Sequence, residues 1–483
     1  MCQRTATGVP GLDDVLHGGF LRNRAYLVRG PPGVGKTLLG LHFLARGSER
    51  GERSMFLNLG ASVEDIREDA RAFGIDVEEV GFLDLSPTSD RFVGQDPYDI
   101  FAASDIEGPS FSETIMDAVV EAAPDRVFID PLTQFRYLTS DLHQYREQVL
   151  AFLQFLKERD CTVLFTSQHT SEAPDDDVRF LSDGILELGY NDKGRVIEVT
   201  KFRGSSTEAG THTVTISDDG MSVYPILVPR EVAETLNPEV LSSGNDGIDG
   251  LLHGGIERGT VSVISGPSGV GKTTTGTLFM REAAGRGERS VTFLFEEAKS
   301  TFLKRSEAIG LPVLEMIEEE KLAVYPIRTR QYSPDEFAGI VRDEVEHRGA
   351  TVVMIDGIDG YSVSLRGNEA ELLEELHSLG HYLRALDVTT ILTAEVHDIT
   401  GDFRVTDRQV SFLADNVVFL RYLEIDGEMR KAIGVLKKRA SDFERMLRQL
   451  DITKEGVVVG EPLTGLRGIL EGTPVWTEQP DDR

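Results

Sequence analysis

Gly30-Pro31-Pro32-Gly33-Val34-Gly35-Lys36-Thr37 is the stretch that decides the fold of this chain. It fits G-x-x-x-x-G-K-[ST] at every position. Glycines there let successive backbone N–H groups converge on phosphate oxygens, and a helix opening at the lysine adds positive potential. Residues 25–28 before the loop are apolar and strand-like, and residues 37–46 after it read as a helix. A strand running through a glycine loop into a helix is the context the motif requires. Lys36 is then placed to reach the β- and γ-phosphates of a nucleotide, and Thr37 to ligate Mg²⁺.

The same loop returns as Gly266-Pro267-Ser268-Gly269-Val270-Gly271-Lys272-Thr273, 236 residues later. Residues 8–19 read GVPGLDDVLHGG and residues 244–255 read GNDGIDGLLHGG, at the same offset. Lys201-Phe202-Arg203 and Lys437-Lys438-Arg439 repeat it again. A period this long is a duplicated domain rather than a solenoid. The length of 483 residues suits two domains of roughly 200–250 residues each. The reading divides the chain into a first domain at 1–228, a linker at 229–241 and a second domain at 242–483. Pro225, Pro229, Pro238 and several charges mark the seam, and residues 231–236 within it can form a short helix.

Each copy alternates apolar strands with helices. In the first copy the strands fall at 25–28, 54–59, 126–130 and 162–167, with a helix at 143–158 before the last. Such a pattern predicts the α/β class, with a mostly parallel sheet covered by helices on both faces. Shorter strands at 184–188, 195–200 and 212–216, separated by turn signals, predict antiparallel additions at one side. The second copy repeats the pattern from Val261 to Val459.

Further residues complete two nucleotide sites. Val127-Phe128-Ile129-Asp130 and Val352-Val353-Met354-Ile355-Asp356 are apolar strands ending in Asp, at the edge where such sheets bind ligands. Beside a phosphate loop, Asp130 and Asp356 are the expected holders of the Mg²⁺ hydration shell. Alone, each would read as a turn Asp after a core strand. The copies differ where hydrolysis is decided. Phe295-Glu296-Glu297 follows the second strand of the second copy, and Leu59-Gly60-Ala61 holds that register in the first. A carboxylate there orients or deprotonates an attacking water or hydroxyl. Glu296 and Glu297 are therefore catalytic candidates beside Lys272 and Lys36, with a solvated loop start as the plainer alternative. Glu64 lies nearby but a helical turn onward. Thr166-Ser167-Gln168 and Thr393-Ala394-Glu395 end the next strands and can sense a γ-phosphate or simply be polar strand ends.

Composition removes several classes. Lys+Arg is 50 and Asp+Glu is 81, a formal net charge of −31, with no basic run. Such a surface repels nucleic acid and anionic membranes, and it also suits a high-salt environment. Cys2 and Cys161 have no Cys or His spacing of a metal site and read as reduced thiols. No apolar stretch approaches the roughly 18–20 residues that span a bilayer, and residues 1–10 lack a signal-peptide core. The expectation is a cytoplasmic protein.

On these motifs the chain resembles the KaiC family of RecA-superfamily ATPases, and more closely its archaeal members. The two openings, both phosphate loops, Glu296-Glu297, Phe180-Leu181-Ser182-Asp183, residues 412–418 and the Lys-x-Arg pairs all carry the resemblance. Residues 465–474 resemble the start of the family's C-terminal tail. The resemblance implies two tandem RecA-like P-loop NTPase domains, with ATP and Mg²⁺ as cofactors. It also implies a double-ring homohexamer holding ATP at subunit interfaces. Lys201, Arg203, Lys437 and Arg439 would then reach a neighbour's γ-phosphate; alone they read as solvated strand ends. The family pattern has the Glu pair in both domains, so Gly60-Ala61 puts first-domain hydrolysis in doubt. It also has an adjacent Ser-Thr phosphorylation pair, where this chain has Ser411-Phe412. A single-site Ser411 autokinase remains open and a two-site cycle does not follow.

The reading that results is a regulatory ATPase working as a hexameric signalling platform with signalling partners unidentified. The alternatives are a RecA-like DNA-handling motor, for which no basic or aromatic DNA loop is found, and a nucleotide-gated scaffold with negligible turnover.

Overall fold

The computed structural model describes residues 3–85, 111–134, 142–167, 176–192, 194–227, 239–365, 369–396, 413–425, 427–464, 466–467 and 475–476. The chain divides into two compact units, Met1–Ile226 and Leu227–Arg483. Most of the expected linker, and nearly all of the tail at 465–474, lie outside the described residues.

In the first unit, β1 (Ala25–Arg29) leads into α1 (Lys36–Glu49). There follow β2 (Ser54–Asn58), β3 (Gly81–Asp84), β4 (Arg126–Asp130), α2 (Leu142–Lys157), β5 (Thr162–Ser167) and β6 (Gly184–Asn191). A run of β7 (Gly194–Phe202), β8 (Thr211–Ser217) and β9 (Gly220–Tyr224) completes the sheet. Among the described residues it has nine strands, in the order β9-β8-β7-β6-β1-β5-β4-β2-β3. Strands β6 to β3 in that order pair in parallel, and β7, β8 and β9 add antiparallel at one side. β3 is a strand that the apolar pattern does not mark, so β4 is fourth in the chain where third is expected. β3 is four residues long, at the sheet edge, and only Leu83 in it is fully buried, so its apolar signal is weak.

Both faces of the sheet are covered, and alternation along β1 shows it. Tyr26 and Val28 join one core, while Ala25 and Leu27 join the other. That is why β1 reads as a continuous apolar run.

The second unit repeats the plan. β10 (Val261–Gly266), α3 (Lys272–Gly285), β11 (Arg289–Leu294), α4 (Lys299–Ala308), β12 (Leu322–Pro326) and β13 (Ala350–Asp356) come first. α5 (Ile358–Ser364), α6 (Glu369–Ala385), β14 (Thr389–Glu395), β15 (Asn416–Ile425), β16 (Glu428–Lys438), β17 (Arg448–Thr453) and β18 (Gly456–Pro462) follow. Their order is β12-β11-β13-β14-β10-β15-β16-β17-β18, the first sheet again.

In both sheets the strand ending in the phosphate loop and the strand ending in Asp lie two places apart. The strand between them is β5 in one unit and β14 in the other. Parallel pairing brings all three carboxyl ends to one edge.

The helix after each loop is seated on the Asp strand through a glycine. A Cβ on Gly40 would stand 2.1 Å from the Phe128 ring, which is fully buried. A Cβ on Gly276 would stand 2.6 Å from the Met354 sulfur. A ring cannot yield within a packed core, whereas a thioether chain can turn aside. Gly40→Ala is therefore expected to destabilise the first unit by about 1–3 kcal/mol. Gly276→Ala is expected to be near neutral, because helix propensity gains offset the adjustment of Met354. Urea unfolding of the two variants checks this; equal stability of Gly40→Ala and the parent would contradict it.

Candidate nucleotide and catalytic site

The loop geometry follows from its glycines. Gly30 and Gly266 have φ of 150° and 156°, and a Cβ on either would meet the carbonyl oxygen of Leu188 or Leu420 at 2.2 or 2.4 Å. Gly35 and Gly271, with φ of 110° and 121°, cap the N-termini of α1 and α3. The lysine that opens each helix is folded over its own loop. Lys36 Nζ donates to the carbonyls of Gly30 at 2.8 Å and Pro31 at 2.9 Å. Lys272 Nζ does the same to Gly266 at 2.9 Å and Pro267 at 3.1 Å. Both ammonium groups are largely buried, and burial pushes their pKa down.

At each site the threonine after the lysine meets the Asp at the strand end. Thr37 Oγ1 donates to Asp130 at 2.5 Å, and Thr166 on β5 donates to the other carboxylate oxygen. In the second unit Thr273 bonds both oxygens of Asp356 at 3.0 Å, and Thr393 on β14 donates to Asp356 at 2.7 Å. Gly357 N donates to Thr393 at 2.8 Å and fixes that hydroxyl in turn. A hydroxyl against a carboxylate, beside a glycine cradle, is the donor set a hydrated hard cation takes together with phosphate oxygens. Among the described residues no cluster of three or more His, Cys, Asp or Glu forms a metal cage. An ion here would therefore draw its other ligands from nucleotide and water.

The family of this chain is decided by comparison with known proteins. The ATPase family described as KaiC matches residues 5–228 and again 241–464. The chain belongs to the KaiC family. It is 28% identical to the circadian clock protein KaiC3 of Synechocystis, over 99% of this chain and 95% of that protein. It is 26% identical to the circadian clock oscillator protein KaiC of Prochlorococcus marinus, over 98% of this chain and 95% of that protein. KaiC of Synechococcus elongatus matches at 26%, over 97% and 91%. The chain is thus an ATPase of the KaiC type, built from two tandem RecA-like domains.

The two sites part company at the water-activating register. Leu59 N donates to Asp130 O at 3.0 Å, and Phe295 N donates to Asp356 O at 3.0 Å. This shared backbone bond stands Gly60-Ala61 where Glu296-Glu297 stand. The two glutamates point to different partners. Glu297 forms an ion pair with Arg305 on α4 at 2.7 Å. Glu296 accepts from the Gly360 amide and lies over Gly357, where a Cβ would fall 2.6 Å from its carboxyl carbon. Partial burial, then the charges of Glu395 and Asp356, push the Glu296 carboxyl up; its outer edge stays open to solvent. Burial also raises Glu297, against the opposing pull of Arg305.

Electrostatics widen the contrast. Glu395, Glu296, Asp356 and Asp359 all act on the Lys272 ammonium, whereas Asp130 alone acts on Lys36. Asp359 went unnoticed in the sequence, although it follows Asp356 by three residues, on the first turn of α5. Thr133 holds its register in the first unit. Thr166 and Thr393, at strand ends expected either to sense a γ-phosphate or to be simply polar, hydrogen-bond the Asp through their hydroxyls.

The Lys-x-Arg residues are not brought to the loop of their own unit. Lys201 pairs with Ile185, the second residue of β6, which lies against Leu27 in the middle of β1, while the phosphate loop leaves the carboxyl end of β1. Lys201 Nζ donates to Arg179 O at 2.8 Å, and Lys437 Nζ donates to Ala414 O at 2.6 Å. Arg439 stands 3.5 Å from Asp415. The middle residues differ: Phe202 stacks on Tyr26, while Lys438 is buried against Glu257 at 3.1 Å. Gln168 and Ser411 lie outside the described residues. No helix among the described residues is long and apolar enough to cross a membrane.

Asp356 is 6% exposed, and burial drives its pKa up despite two threonine donors. A carboxyl raised in the fold stabilises below its unfolded pKa, and that contribution is lost as pH rises toward the folded value. At neutral pH the ionised group is therefore a cost. Asp356→Asn is expected to raise the nucleotide-free melting temperature by roughly 2–6 °C. The advantage should shrink at acidic pH and reverse with Mg²⁺ and ATP. Scanning calorimetry at two pH values checks the sign; a lower melting temperature for the variant at neutral pH would contradict it.

Proposed function

We propose that both units bind ATP with Mg²⁺ and that turnover belongs mainly to the second. The observation that carries this is the Glu296 carboxylate over Gly357 and Gly360, beside the buried Lys272 and Asp356, where the first unit has Gly60. At each loop the glycine amides and the lysine bind phosphate oxygens. Thr37 with Asp130, and Thr273 with Asp356, would hold a Mg²⁺, which when bound would supply charge neutralisation for the phosphates. Glu296 takes the proton from the attacking water; Glu297, tied to Arg305, supports the turn that carries Glu296. With no base at Gly60-Ala61, the first unit serves as a nucleotide-holding scaffold.

Assembly follows from the Lys-x-Arg strands. Lys201, Arg203, Lys437 and Arg439 stand at the sheet edge away from their own loops, which suits cations that complete a neighbour's γ-phosphate site. A cation supplied in trans stabilises transition-state charge and couples turnover to assembly. The proposed form is a homohexamer acting as a signalling ATPase, with domains at 1–228 and 242–483 joined by 229–241. Ser411 is the acceptor if the same base serves a hydroxyl in place of water.

Glu296→Gln is expected to lower steady-state phosphate release about 10²–10⁴-fold while ATP stays bound. Glu297→Gln should cost less, and Lys36→Ala should cost least, acting through assembly alone. Because the Glu296 carboxyl is raised, the parent rate should fall on acidification at a pH above the ordinary Glu value of about 4.3. That acid limb should vanish from the residual rate of Glu296→Gln. Turnover intact in the Gln variants but lost in Lys36→Ala would reverse the assignment.

A further inference from the structure

α6 carries His377 and His381 one helical turn apart, so both imidazoles leave the same face. Their Nε2 atoms are 3.0 Å apart, with the rings edge to face at 85° and centroids 4.4 Å apart. His377 is exposed and His381 half-buried, and both line a cavity of about 130 Å³ in the second unit. Nothing in the nucleotide site uses them.

Two ring nitrogens at this separation share either a proton or a cation. Metal–imidazole bonds are about 2.0–2.1 Å long, so a right-angled pair separates its nitrogens by about 2.9–3.0 Å and a tetrahedral pair by about 3.3–3.4 Å. The 3.0 Å separation here is that of the hydrogen bond the two rings share, and it puts both nitrogens within reach of one ion; imidazole nitrogens then favour Cu²⁺ over Ni²⁺. Arg384 and Arg439 line the same cavity and oppose a dication. Asp415 lies against both, in a tight ion pair with Arg384 and 3.5 Å from Arg439, and offsets part of their charge.

We propose that His377 and His381 form a two-nitrogen site for a divalent transition-metal ion of tetragonal preference, Cu²⁺ ahead of Ni²⁺, with water in the remaining positions. In the metal-bound form each ring would carry its proton on Nδ1 and offer Nε2 to the ion, the donor of the metal-free pair moving its proton from Nε2 to Nδ1. No electron is transferred and no bond of the chain is broken.

The test uses the full chain, free of any affinity tag, in a Cys2→Ser background that removes the thiol beside the amino terminus. Millimolar Mg²⁺ is present to occupy carboxylates. Cu²⁺ is titrated by calorimetry, and the bound ion is read by electron paramagnetic resonance. One tight ion per chain with coupling to two nitrogens is expected. His377→Ala and His381→Gln should each weaken it by about 10²-fold, the loss of a linked second ligand. His347→Ala, a histidine on the π-helical turn Asp343–His347, should leave it unchanged. Unchanged ATP turnover in the variants shows that the fold is intact. Equal copper affinity in the parent and in both pair variants, or a spectrum without two-nitrogen coupling, would overturn the proposal.

Discussion

Everything at the two sites hangs on a carboxylate held between two threonines. Asp130 is gripped by Thr37 from the helix side and Thr166 from the neighbouring strand. Asp356 is gripped by Thr273 and Thr393 in the same way. The bonds join three elements that a parallel sheet delivers to one edge: the helix after the loop, the strand ending in Asp, and the strand between it and the loop strand. Burial pushes the Asp356 carboxyl up, and its two hydroxyl donors pull the other way by favouring the charged form. The helix can sit close enough for this grip because Gly40 and Gly276 leave no side chain against the Asp strand.

On this shared frame the two units differ in charge rather than in fold. Four carboxylates act on Lys272 and one acts on Lys36. A carboxylate-rich site repels the phosphates it must bind, so its acids have a use only when water is to be activated or a cation held. Among the described residues the poorer site has less of that repulsion, and Gly60-Ala61 offers no carboxylate at the water-activating register. On the function we propose, holding in one unit and turning over in the other would be two settings of the same scaffold. The strand bearing the Lys-x-Arg residues varies likewise, with an aromatic stack under Phe202 and a buried ion pair at Lys438.

Much of this was legible in the residues themselves. The two glycine loops, their constant offset and the apolar strands ending in Asp specify two tandem α/β domains, because each feature serves one local geometry. The place of Gly60-Ala61 was also legible, since the offset carries through from Gly74 to Gly310 and the backbone bond at Leu59 and Phe295 keeps it. What sequence spacing hides is direction. Nothing in Glu296-Glu297 says that one carboxylate bonds the Gly360 amide while the other turns to Arg305. Asp359 and Glu395 come from separate elements and meet the field of Lys272 only through packing. The edge strand Gly81–Asp84 was missed because an edge needs less apolar surface.

On the proposed function, the nucleotide held by the first unit stays intact while that held by the second is consumed. Chains carrying Lys272→Ala or Lys36→Ala, each leaving one working loop, can be loaded with labelled ATP, freed of excess, and sampled over time for bound ATP and ADP. The account predicts that label on the Lys272→Ala chain remains ATP, while label on the Lys36→Ala chain turns to ADP. ADP accumulating on Lys272→Ala while ATP persists on Lys36→Ala would contradict it.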